Sequence, residues 1–128
     1  MLIILKINSA LFIACLVCIS ALFSPVVHAE RVIGNIDCGK WLENRKGELT
    51  NIQVSDMSWL GGYLSGLNTG WSVSAPEILN DPLSELESLS QALLWMDNYC
   101  KAHPLETASK GGQELFFELV KRKKKSSK

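Results

Sequence analysis

Residues 59–71 read WLGGYLSGLNTGW, a segment with helical hydrophobic spacing that nevertheless carries four glycines. Met57, Leu60, Leu64, Leu67 and Trp71 repeat in steps of three and four, the stripe of an amphipathic helix. Each glycine in a helix interior costs about 1 kcal/mol relative to alanine, so something must offset the loss. At about 100 degrees per residue, Gly62, Gly66 and Gly70 fall on a side away from the leucines, flanked by Trp59 and Tyr63. The pattern predicts a helix with two packing faces. Gly62, Gly66 and Gly70 would allow another backbone to approach closely, and the alternative is a flattened face reserved for a protein partner. Residues 57–76 contain no charge, which suits a central helix clamped between neighbours. Ser58, Ser65, Asn68, Thr69 and the glycines make the segment too polar for a membrane span.

The same spacing recurs at Leu86, Leu89, Leu93, Met96 and Cys100, which predicts a second long helix with the Cys100 thiol on its core side. Asp81 before Pro82, with Ser84 three residues ahead of Glu87 as a capping box, would open it, and it closes before Pro104. A third helix is expected from Thr107 or Ser109 to Lys121, burying Leu115, Phe116, Leu119 and Val120. A short one around residues 38–45 carries Cys38 and Trp41. Residues 72–80 read as a loop, broken at Ala75 and Pro76. With no strand alternation, the expected fold is all-α, a small bundle of about four helices stapled by one disulfide.

Lys6 precedes the apolar run ALFIACLVCISALF of residues 10–23, and Val27 and Ala29 are small residues at the −3 and −1 positions of a cleavage site. Residues 1–29 are thus expected to be a secretory signal peptide, the mature chain starting at Glu30 in the periplasm. Cleavage discards Cys15 and Cys18 and leaves Cys38 and Cys100, expected to pair in an oxidising compartment. A metal site using Cys100 and His103 is the weaker reading, because a closed zinc site needs four ligands. Residues 30–120 form the expected single domain, with 6 basic and 13 acidic side chains and a net charge of −7. The tail, KRKKKSSK at 121–128, is basic and expected to fray into disorder, its cations suiting the helix C-terminus. A membrane-surface patch is the weaker reading of it, no nucleic-acid role is expected, and no membrane span remains after cleavage.

No Gly-rich phosphate loop, G-x-S-x-G or H-E-x-x-H occurs, and the mature chain's one histidine, His103, reads as a helix cap. Glu85 with Glu87 and Glu114 with Glu118 read as solvated helix faces. Neither an enzyme nor a cofactor is expected. Eight aromatics remain in the mature chain, among them Trp41, Trp59, Trp71 and Trp95. Trp71, beside the polar loop with Ser72, Ser74 and Asp81, is the candidate anchor for a protein partner, or equally the last core rung of its helix.

Four stretches in order, CGKWLENRK from Cys38, WLGGYLSGLN from Trp59, LLWMDNYCKAHPL from Leu93 and GGQELFFELV from Gly111, resemble a known group. They are similar to the small periplasmic helical proteins that include type VI secretion amidase immunity proteins. More distantly they resemble the acid-stress chaperones of the HdeA and HdeB kind. The resemblance implies the Cys38–Cys100 bridge and a protein that binds and blocks a toxic cell-wall amidase, often as a homodimer. The chaperones imply the alternative, capture of unfolded clients in acid, and an envelope protein of unknown role stands behind both.

Overall fold

A computed structural model of the chain describes residues 32–127. The signal-peptide and cleavage-site expectations lie outside the described residues. Among the described residues four α-helices follow in order: α1 (Cys38–Asn44), α2 (Asn51–Ser74), α3 (Leu89–Ala102) and α4 (Ala108–Ser126). Two 3-10 turns, Glu77–Leu79 and Pro82–Glu85, lie between α2 and α3. Among the described residues there is no strand, and an isolated antiparallel bridge joins Asp37 to Thr107. The all-α bundle expected from the periodicity is the fold.

Each helix begins at a side chain that accepts one of the otherwise orphaned N-terminal amides. Asp37 accepts from Lys40 N, Thr50 from Gln53 N, Ser88 from Gln91 N and Thr107 from Lys110 N. At Thr50 the reciprocal bond is present too, Thr50 N donating to Gln53 Oε1 at 3.1 Å, which completes a capping box. Two helices stop where a proline follows: Ala75 is extended before Pro76, and His103 leaves helical geometry before Pro104.

α3 does not open where the sequence suggested. Pro82–Glu85 forms its own 3-10 turn, and Ser84 Oγ donates to Asp81 O at 2.7 Å instead of capping a helix. Leu86 and Ser88 are extended about a bend at Glu87, and Ser88 is the true N-cap. Leu86 therefore packs on the core from outside the helix. The tail is corrected more sharply. α4 is helical through Ser126, and it is tied down, Lys123 Nζ donating to Ser84 Oγ at 2.8 Å and Ser126 Oγ to Glu85 Oε1 at 3.0 Å. A disordered tail from Lys121 is thus not what forms, because the 3-10 turn offers the helix end tertiary partners.

The core is a single cluster in which Trp41, Leu60, Met96, Leu115 and Leu119 are fully enclosed, with Leu64, Ala92, Leu93 and Phe116 beside them. Burying aliphatic side chains of this kind contributes about 1.5–3 kcal/mol each. Leu60 and Leu64 of α2 meet Leu93, Met96 and Cys100 of α3 there as their spacing required, whereas Leu89 at the start of the α3 stripe is 41% exposed. Cys38 and Cys100, both wholly buried, are disulfide-bonded with Cα atoms 4.8 Å apart. Around the bridge, Cys38 N donates to Glu106 O at 2.9 Å and Ala108 N to Ile36 O at 2.8 Å. Asp97 of α3 accepts from Trp41 Nε1 at 2.9 Å and from Arg45 Nε at 2.8 Å, fastening α1 from its other side.

The glycine expectation is overturned. An ideal Cβ placed on Gly62, Gly66 or Gly70 meets nothing within 4 Å, and all three are exposed. Among the described residues no helix covers that face, since α3 and α4 both lie on the leucine side of α2. The close approach occurs on α4 instead. A Cβ on Gly111 would sit 2.7 Å from Met96 Cε and 2.8 Å from Tyr99 Cδ1, and one on Gly112 would sit 2.9 Å from Tyr63 Cδ1. These two buried glycines are what let α4 settle against α2 and α3.

Candidate functional site

The C-terminal end of α2 leads into residues 75–83, and the side chains there lock the loop from within. Trp71 is half-buried: its ring meets Phe116 edge-on at 6.0 Å, and its Nε1 donates to Leu79 O at 2.8 Å. Trp71 is therefore the last core rung of its helix and a strut for the loop, not an open anchor. Asn68 clamps the far side, its Nδ2 donating to Asp81 Oδ1 at 2.9 Å while its Oδ1 accepts from Leu83 N at 3.3 Å. Ser72 Oγ donates to Thr69 O at 2.9 Å and Ser74 Oγ to Trp71 O at 3.4 Å, each capping its own helix end.

Of the four residues singled out from sequence, then, Trp71 and Asp81 hold the loop, and Ser72 and Ser74 are exposed at its start. The residue that sequence reasoning passed over is Val73, between the two serines. It is 86% exposed, among the most open large apolar side chains described. Polar neighbours on both sides hid it, because period and polarity both marked the segment as loop. Pro76 and Glu77 are exposed beside it. The result is a rim of fixed shape with an apolar tip, continuous with the uncharged, glycine-lined face of α2.

A second feature lies between α3 and α4. The rings of Trp95, Tyr99 and His103 stack at successive turns of α3, with centroids 5.4 and 4.4 Å apart. They line a groove of about 470 Å³ whose opposite wall carries Glu106, Lys110, Glu114, Glu118 and Lys121. Lys110 Nζ donates to Glu114 Oε1 at 2.6 Å, which holds the Glu114 carboxyl below and the Lys110 ammonium above their ordinary values. Burial, and then the Glu106 carboxylate, raise the Tyr99 hydroxyl above its usual 10.0.

His103 Nδ1 lies 3.0 Å from Tyr99 O, and its backbone amide donates to the same oxygen. It closes α3 as a cap, the role its position suggested. Among the described residues no set of His, Cys, Asp and Glu is grouped as metal ligands would be, and Cys100 is committed to the disulfide. No described helix is long and apolar enough to cross a membrane. Comparison with protein-family models, with curated proteins and with solved structures gives no match.

Proposed function

We propose that the protein is a periplasmic immunity-type protein that binds a toxic cell-wall amidase and blocks it. The observation that carries the reading is the locked rim at the end of α2. Trp71 and Asn68 fix residues 75–83 from beneath, so that exposed Val73 and its serine and proline neighbours form a surface whose shape exists before any partner arrives. A blocking protein gains from such preorganisation, since little conformational freedom is lost on docking. The similarity of the Cys38, Trp59, Leu93 and Gly111 stretches to the amidase immunity group supports the same reading.

The experiment mixes the disulfide-bonded chain with purified cell-wall amidases and follows peptidoglycan hydrolysis at neutral pH. One amidase should be inhibited in proportion to added protein, and Val73→Asp should weaken that inhibition at least tenfold while the melting temperature holds. Inhibition that ignores Val73→Asp would remove the rim from the reading. Absence of inhibition, together with suppressed aggregation of a model client in acid, would replace it with the chaperone alternative.

A further inference from the structure

We propose that the C-terminal end of α4 is an electrostatic docking surface for an anionic lipid bilayer. This goes beyond amidase blocking and does not depend on it. In α4, Lys121, Arg122, Lys124 and Lys125 are exposed, while Lys123 turns inward to Ser84. Three carboxylates offset part of the charge: Glu118 pairs with Arg122 at 3.3 Å, Glu85 faces the helix end through Ser126, and Glu114 shares a groove wall with Lys121. Lys121, Lys124 and Lys125 have no ion pair within the described residues. A basic tail without structure would present these charges to anything. Here the contacts to Ser84 and Glu85 hold them on a rigid helix in fixed register.

Register supplies the second observation. Phe117 stands one turn before Lys121 and two turns before Lys124, on the side of α4 opposite Leu115 and Leu119, and its ring is 50% exposed. An apolar ring bordered by ammonium groups matches the boundary between lipid headgroups and acyl chains. A soluble polyanion would satisfy the ammonium groups and leave the ring in water, whereas an anionic bilayer accommodates both.

Charge complementarity then fixes the orientation. Residues 30–120 carry net −7, so an anionic surface repels the body and attracts the α4 end alone. Docked this way, α4 stands between the bilayer and the bundle.

The test is co-sedimentation of the disulfide-bonded chain with vesicles of phosphatidylglycerol and phosphatidylcholine, against vesicles of phosphatidylcholine alone. Binding is expected to the first only, and to fall as salt shortens the screening length from about 10 Å at 0.1 M to about 3 Å at 1 M. Near an anionic surface each lysine contributes about fivefold, so Lys121→Gln with Lys124→Gln should weaken binding about 25-fold. Phe117→Ser should weaken it without changing the salt slope. Lys40→Gln, which removes a cation already paired with Glu43 on α1, should leave it intact. Equal binding to neutral vesicles, a double variant that binds like the parent, or equally tight binding to a soluble polyanion such as heparin would each overturn the proposal.

Discussion

Two glycine-to-alanine substitutions with opposite expected signs test how α2 and α4 are packed. At Gly66 the added methyl points into open space, with no atom within 4 Å of its Cβ. Alanine there recovers the helix propensity that glycine forfeits, so the variant should gain about 1 kcal/mol. At Gly112 the same methyl would come within 2.9 Å of Tyr63 Cδ1 and 3.0 Å of Cε1. Tyr63 cannot simply swing away, because its ring is stacked on Trp59 at 5.2 Å between centroids. Overpacking of this kind costs about 1–3 kcal/mol, against which the propensity gain is about 1, so Gly112→Ala should be destabilised by up to about 2 kcal/mol. Thermal unfolding by circular dichroism reads both. For a domain this small, each kcal/mol moves the midpoint by about 4–8 °C. The two variants should thus melt on opposite sides of the parent, at every protein concentration tried. A Gly66→Ala variant that melts lower, and more so at high concentration, would refute the reasoning by showing that the α2 face is covered in solution.

Mass spectrometry of the oxidised chain should find two hydrogens missing, and Cys100→Ser should lower stability by about 4 kcal/mol, the chain-entropy contribution of so long a loop. An unchanged melting temperature would mean that the bridge contributes little. Asp97→Ala strips an acceptor from both Trp41 Nε1 and Arg45 Nε in a largely buried setting, and should cost about 2–4 kcal/mol by denaturant titration. Arg45→Met should cost less, since Trp41 keeps its partner. The raised Tyr99 hydroxyl has a folded-state proton affinity above its unfolded one, so its contribution is complete below pH 10.0 and is lost as pH rises through the folded value. Stability measured across that alkaline range should fall more steeply in the parent than in Tyr99→Phe.

The helices, their apolar stripes and the disulfide could be read from the residues because each depends on local period or on a count. The leucines of α2 and the Leu93, Met96 and Cys100 stripe of α3 needed only a helical wheel. Boundaries were less accessible. Two caps with clear signatures, Thr50 with Gln53 and Ser88 with Gln91, set the true starts of α2 and α3, while Asp81, Pro82 and Ser84 imitated a start that closes into a 3-10 turn. The glycines mislead for a different reason. A wheel shows that Gly62, Gly66 and Gly70 share a face, but what lies opposite is decided by other segments, and those sit on the leucine side. The informative pair was Gly111 and Gly112, adjacent in the first turns of α4, where two small residues together let neighbouring side chains close in. The tail reads as disordered by charge alone, because its partners Ser84 and Glu85 are about forty positions earlier in the chain. At the candidate rim, Trp71 was found by its size, and Val73 was lost among serines.

The tie between the segment ahead of α1 and the turn ahead of α4 also sets an order of events. Cys38 and Cys100 are separated by 62 positions, and the backbone bonds beside them, Cys38 to Glu106 and Ile36 to Ala108, span slightly more. A chain emerging N-terminus first from a ribosome cannot form any of them until residues 100–108 are out. Until then α1 has no partner for its Asp97 anchor, and α2 has no surface on which to lay its leucines. Such a chain stays threadable until those residues have passed, and it becomes a closed object only when α4 arrives and Cys38 meets Cys100.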